Sequence, residues 1–65
     1  MVVKISIRKL RRDKGLSQFE LAELLGINQS AVAQWETGKT APNFKRLKKL
    51  AEILDCSVDD LMKED

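Results

Sequence analysis

Two residues, Gly26 and Ile27, separate the end of one helical pattern from the cap of the next, and that shortness constrains the fold more than any other feature of the chain. The first pattern opens at Leu16-Ser17-Gln18-Phe19-Glu20-Leu21. Ser17 is placed to accept from the backbone N–H of Glu20, and the Glu20 carboxylate to reach back to the Ser17 N–H. Leu16 stands at stapling distance in sequence from Leu21. Leu21, Ala22 and Leu25 share one face, and Gly26 stops the helix because glycine enters the left-handed region without a Cβ clash, which leaves a helix of about ten residues or fewer. Asn28 then caps a second helix, with Ile27 and Val32 at staple spacing, running to about Thr37 before Gly38. Two short helices joined so tightly cannot lie antiparallel. They must cross steeply.

The same punctuation continues downstream. Asn43, directly after Pro42, opens a further helix with Phe44, Leu47, Leu50, Ala51 and Leu54 along one stripe. Ser57-Val58-Asp59-Asp60 is another capping box with acids in the first turn, leading a short helix through Leu61 and Met62. At the other end Val3, Ile7 and Leu10 fall at i, i+4 and i+7, and residues 8–14 are good helix material ending at Gly15. The segment 2–7 is rich in β-branched residues and suits an extended arm equally well, so this helix is expected from about residue 4 or 6 to 14. The expected fold class is all-α, with five helices, no strand pattern and no internal repeat.

Sixty-five residues make a single domain, 1–65, that buries only ~60% of the surface its unfolded chain exposes. It has the material for a core: 43% hydrophobic residues, three glycines and one proline, beside 34% charged residues that keep the chain in the globular class. No apolar run approaches the ~18 residues of a membrane span, and the first residues lack the pattern of a signal peptide. A lone cysteine, Cys56, has no internal disulfide partner and points to the reducing cytoplasm; it reads as a small semi-buried hydrophobe. There is no histidine, hence no imidazole base, no Ser-His arrangement and no His-rich metal site. With no glycine-rich phosphate loop either, the expectation is a chain that is not an enzyme, with no cofactor, metal, membrane or small-molecule substrate.

The net charge of +2 conceals a division. Residues 1–54 hold eleven Lys/Arg against five Asp/Glu, a net of +6, whereas 55–65 hold one lysine against five acids, a net of −4. A basic body with an acidic end suits a polyanionic partner, and equally a surface with charges placed for helix dipoles. The helix after Asn28 narrows the choice. Stepping ~100° per residue from Gln29, Ala31, Val32 and Trp35 fall at about 200°, 300° and 240°, while Gln29, Ser30, Ala33, Gln34 and Thr37 fall between 0° and about 140°. Exposed helix faces normally carry Lys and Glu; this one carries uncharged groups suited to base edges. Gln can pair with adenine N6 and N7, Ser and Thr bond to several bases, and small methyls touch the thymine methyl. Gln and Ala are also simply good helix formers.

The stretch 18–35 resembles the phage-repressor and Cro type of helix-turn-helix, the xenobiotic-response-element family. Its small residue stands at Ala22, its turn glycine at Gly26 and its buried positions at Leu21, Ile27, Val32 and Trp35. The longer string Gly15-Leu16-Ser17-Gln18, Gln34-Trp35-Glu36-Thr37-Gly38-Lys39, Pro42 and Leu47-Lys48-Lys49-Leu50-Ala51 is similar to the same family, over about residues 6–62. The resemblance implies a five-helix, lambda-repressor-like DNA-binding domain with its helix-turn-helix at about residues 17–37. It implies base readout by Asn28, Gln29, Ser30, Ala33, Gln34 and Thr37. Phosphate contacts are implied for Gln18, Lys39, Thr40, Asn43, Phe44 and Lys45, largely through backbone amides and basic side chains, with Asn43 a cap in either case. The family also pairs the residues matching Arg11 and Glu36 as a structural salt bridge. Lys9, Arg12, Lys48 and Lys49 read as solvated.

Double-stranded DNA is therefore the expected partner and sequence-specific transcriptional regulation, most simply repression, the expected function. One helix reads few base pairs, so a homodimer on a palindromic operator is expected, with half-sites ~34 Å apart. Its candidate surface is Ile53, Val58 and Met62, with Leu61 assigned to the core; pairing through residues 2–7 is the other route. The alternative function is a protein-interaction module on the same frame. Phe19 favours it slightly, since it projects to the Glu20/Glu23 side, where it either covers lysine or arginine stems or marks a partner surface.

Overall fold

In the computed structural model, which describes residues 6–62, side-chain caps open three of the five helices. The elements are α1 (Ile7–Asp13), α2 (Gln18–Leu25), α3 (Gln29–Thr37), α4 (Phe44–Ile53) and α5 (Val58–Met62), and no strand occurs among the described residues. Ser17 Oγ accepts from Glu20 N–H at 3.0 Å while the Ser17 N–H donates to the Glu20 carboxylate at 2.9 Å, completing the box that opens α2. Ser57 and Asp60 repeat the exchange at 3.0 and 3.2 Å for α5. Asn43 Oδ1 accepts from Arg46 N–H at 2.9 Å at the start of α4. Asn28 differs from expectation: it holds the cap position of α3 with extended backbone, but its side chain makes no capping hydrogen bond.

The stop of α2, more than Asn28, sets where α3 begins. Gly26 takes φ 73°, the Ile27 N–H donates to Ala22 O at 3.0 Å and the Gly26 N–H to Glu23 O at 3.1 Å. That pair of bonds satisfies two orphan carbonyls and swings the chain out of α2 in one step. The same bond pair ends α4 at Asp55, a non-glycine residue at φ 56°, where Cys56 N–H donates to Ala51 O at 2.9 Å and Asp55 N–H to Glu52 O at 3.3 Å.

Each helix contributes to one core: Ile7 from α1, Leu21 and Ala22 from α2, Val32 and Trp35 from α3, Leu50 and Ala51 from α4 with Leu54 at its end, and Leu61 from α5. Ile7, Leu21, Val32, Leu50 and Leu61 are wholly buried. Packing runs α2 on α3, α2 on α4, α4 on α5 and α1 on α3, and the Ser6 N–H ties the start of α1 to Leu61 O at 2.9 Å. The stripe predicted for α4 needs one correction. Phe44 is 67% exposed and stands apart from the core. It lies about 70° from the centre of the stripe made by Leu47, Leu50, Ala51 and Leu54, in the first turn, where its ring takes the Lys48 ammonium at 5.9 Å instead. The segment 2–7, which suits an extended arm as well as a helix start, lies up to residue 5 outside the described residues, and α1 begins at Ile7. No described helix is long and apolar enough to cross a membrane.

Candidate nucleic-acid interface

α3 has two faces. Val32 and Trp35 are buried and Ala31 is half-buried against the core, whereas Asn28, Gln29, Ser30 and Thr37 are exposed and Ala33 and Gln34 half-exposed. The exposed side carries no charged group. Its only acid, Glu36, is turned inward, with its side chain wholly buried.

Glu36 gathers three side chains from α1 and α2. Arg11 Nε donates to Oε2 at 2.7 Å and Nη2 to Oε1 at 3.1 Å, a two-pronged pair, while Arg11 Nη1 donates to Leu16 O at 2.7 Å. Gln18 Nε2 donates to Glu36 Oε1 at 3.0 Å, and Arg8 Nε does so at 3.3 Å. Burial pushes the Glu36 carboxyl up, but the hydrogen bonds from Arg11, Gln18 and Arg8, with the Arg11 charge, outweigh it and hold the group below its ordinary range. Gln18 continues the chain outward: its Oε1 accepts from Gln29 Nε2 at 3.4 Å. The amide expected to meet a phosphate thus also joins Glu36 to Gln29 inside the protein.

The far end of α3 is organised around Gln34. Its backbone oxygen accepts from Thr37 Oγ1 at 3.1 Å and from the Lys39 N–H at 3.0 Å, and Thr40 Oγ1 lies 3.5 Å from its Oε1. Lys39, Thr40, Asn43, Phe44 and Lys45 follow as an exposed segment interrupted by buried Pro42. The Asn43 oxygen is occupied by its cap. A groove runs on from Asn43 and Lys45 along α4, lined by Arg46, Lys48, Lys49, Glu52 and Leu25. Nothing acidic stands in the first turn of α4, where Lys45 and Arg46 lie at the positive end of the helix dipole.

The structure therefore brings together Arg11, Glu36, Gln18 and Gln29 at one end of α3, and Gln34, Thr37, Lys39 and Thr40 at the other. It does not gather Ile53, Val58 and Met62 into one exposed patch: Ile53 and Val58 are half-buried against the core and Met62 is 42% exposed. Arg8 was missed by the sequence reading. Its spacing of three from Arg11 puts both guanidinium groups on one side of α1, the signal that would have found it.

A family model described as helix-turn-helix matches residues 7–61. This chain belongs to the helix-turn-helix family of the phage-repressor type. The chain is 37% identical over 59 residues to repressor protein C2 of Salmonella phage P22, covering 91% of this chain and 27% of that protein. It is 42% identical over 57 residues to YonR of Bacillus subtilis, an SPbeta prophage-derived uncharacterized HTH-type transcriptional regulator, covering 88% of this chain and 53% of that one. Among solved structures, the P22 c2 repressor in complex with a synthetic operator superposes with a TM-score of 0.85 at 34% identity, covering 100% of this chain and 98% of that chain. The restriction-modification controller protein C.AhdI from Aeromonas hydrophila gives 0.77 at 40% identity, covering 85% and 83%. The chain spans about a quarter to about half the length of the curated relatives it matches. Within the helix-turn-helix frame α2 and α3 are the two helices of the motif, joined at Gly26, and Glu36 with Arg11 is the tie from its second helix to α1.

Proposed function

We propose that this domain binds duplex DNA in a sequence-specific way and regulates transcription, most simply by occupying an operator as a repressor, with α3 entering the major groove. One observation carries the reading: Val32 and Trp35 anchor α3 from one side while the opposite side offers Gln29, Ser30, Ala33, Gln34 and Thr37, uncharged and without a long charged side chain to bar close approach. Gln29 and Gln34 supply amides for adenine N6 and N7, Ser30 and Thr37 supply hydroxyls, and Ala33 a methyl for thymine, with Asn28 at the leading end. Flanking it, the first turn of α2 at Gln18 and the segment carrying Lys39, Thr40, Asn43, Phe44 and Lys45 hold the two sides of the groove through phosphates.

A homodimer on a palindrome gives such a short reading helix useful specificity, with half-sites ~34 Å apart, and exposed Met62, with the half-buried Ile53 and Val58 contributing only their outer edges, is the candidate surface for it. Such a regulator acts in the cytoplasm, on DNA, without catalysis of its own. Exposed Phe19 and Leu24 on α2, at 57% and 55%, support the second reading, a module that binds another regulator.

Titrating a pool of duplexes at ~50 and ~200 mM salt tests the proposal. Each phosphate neutralised adds about −0.9 to the slope of log K on log salt, so Lys39 and Lys45 alone give about a tenfold loss across that range. Binding that ignores salt, or no binding to any duplex, refutes it.

A further inference from the structure

Glu36 lies outside the reading face, wholly buried, and yet it is joined to that face by two hydrogen bonds in series. We propose that Glu36 sets the base preference of Gln29, by fixing through Gln18 the direction in which those hydrogen bonds run. The inference rests on the DNA-binding reading above and names a positioning residue for it.

An ionised carboxylate accepts and cannot donate. Glu36 faces two arginines, Arg11 at 2.7 Å and Arg8 at 3.3 Å, and is ionised. Gln18 must therefore turn its NH2 group toward Glu36, as it does at 3.0 Å. Its oxygen is then the end that meets Gln29, and an oxygen can only accept. Gln29 must in turn present an N–H to it, at 3.4 Å. One N–H and the oxygen of Gln29 are left for the groove.

That pair, one donor and one acceptor, complements adenine, which offers N7 as acceptor and N6–H as donor. If Gln18 were reversed, Gln29 would turn its oxygen inward and show both N–H groups to the groove. Two donors complement guanine, which offers only acceptors there, N7 and O6. An amide is otherwise free to flip between these states, since its two ends are nearly the same size. A charge held out of the groove by α1 thus decides between two purines that it does not touch. The long Gln18–Gln29 separation makes the relay a bias on Gln29 and leaves it able to adjust as a base arrives.

The test compares dissociation constants for four duplexes that differ only at the base pair whose preference is lost in Gln29→Ala. The wild type is expected to prefer adenine there over guanine. Gln18→Met keeps the side-chain length and the Arg11–Glu36 pair but breaks the relay, and the adenine-to-guanine ratio should fall at least about fivefold, the equivalent of ~1 kcal/mol. Preferences at other positions should hold. Glu36→Gln, with its fold checked by thermal melting, should shrink the same ratio, because a neutral amide can receive Gln18 in either direction; if that variant does not fold, Gln18→Met decides.

A merely structural role gives a different result: all four duplexes weaken equally and the ratio stands, which overturns the inference while leaving DNA binding intact. A wild-type preference for guanine at that position overturns it as well. Absence of any duplex binding by the wild type overturns the DNA-binding reading, and this inference with it.

Discussion

Removing Arg11 isolates a buried charge, and the cost can be worked out from the contacts. Arg11 is 9% exposed and Glu36 not at all, so both groups were withdrawn from water and depend on each other. Arg11→Ala deletes two bonds to the carboxylate and one to Leu16 O, leaving Glu36 with Gln18 and Arg8. Breaking a buried pair from one side costs ~3–5 kcal/mol. Arg8, 54% exposed and already at 3.3 Å, can follow the carboxylate, which places the loss near ~3 kcal/mol, at the lower end of that range. A domain of this size has ~3–10 kcal/mol in total. Each kcal/mol shifts Tm by ~4–8 °C here, so melting followed by circular dichroism at neutral pH should fall by ~12–24 °C. Arg11→Lys keeps the charge but loses the fork, and should fall in between. Arg11→Met with Glu36→Met removes both charges and should recover part of the loss, because the only ion left without its partner, Arg8, is half-exposed and solvated. An Arg11→Ala protein that melts within ~3 °C of the wild type refutes the keystone role given to this pair.

Acid should act through the same group. A carboxyl held below its unfolded value contributes stability in full above that value, ~4.3, and loses it as pH falls through the folded value. Tm should therefore drop below about pH 4.3, with Glu20, lowered by the Ser17 N–H, acting in the same direction, and the drop should be shallower in Glu36→Gln. Gly26→Ala meets no atom within 4 Å of the added carbon, so its whole cost is the left-handed backbone, ~1–2 kcal/mol in a urea titration; a neutral effect contradicts the tight-turn account. Lys39→Ala should weaken every duplex alike and flatten the salt slope by about 0.9, whereas Gln34→Ala should cost ~1–3 kcal/mol at one base position only. Cys56, whose thiol is pushed up by burial and by the Asp60 and Asp55 carboxylates, should alkylate slowly at neutral pH.

The frame of this fold was legible because short-range chemistry governs it. Ser17 with Glu20, Ser57 with Asp60, and Asn43 each act within four residues, so their spacing in sequence is their spacing in space. The inward stripe of α3 was legible for the same reason. Phe44 was misplaced because a stripe gives an angle and says nothing of where along α4 the core begins. Asn28 holds the cap position of α3 without a capping hydrogen bond from its side chain, which the residue type alone does not reveal. Gln18 was the larger surprise. Its partners stand 18 and 11 residues away, and only the crossing of α2 and α3 brings them within reach. That crossing makes Gln18, besides the phosphate contact expected of it, a link between a buried carboxylate and an outward-facing amide.

Selection from a random duplex pool, run in parallel with the wild type and with Gln29→Ala/Gln34→Ala, bears most directly on α3 as the reading element. The wild type should enrich a defined sequence, arranged as two half-sites ~34 Å apart if it acts as a dimer, and the double variant should lose that preference while retaining salt-sensitive binding to any duplex. Recovery of the same sequence by both proteins would place recognition elsewhere on the molecule and contradict the account.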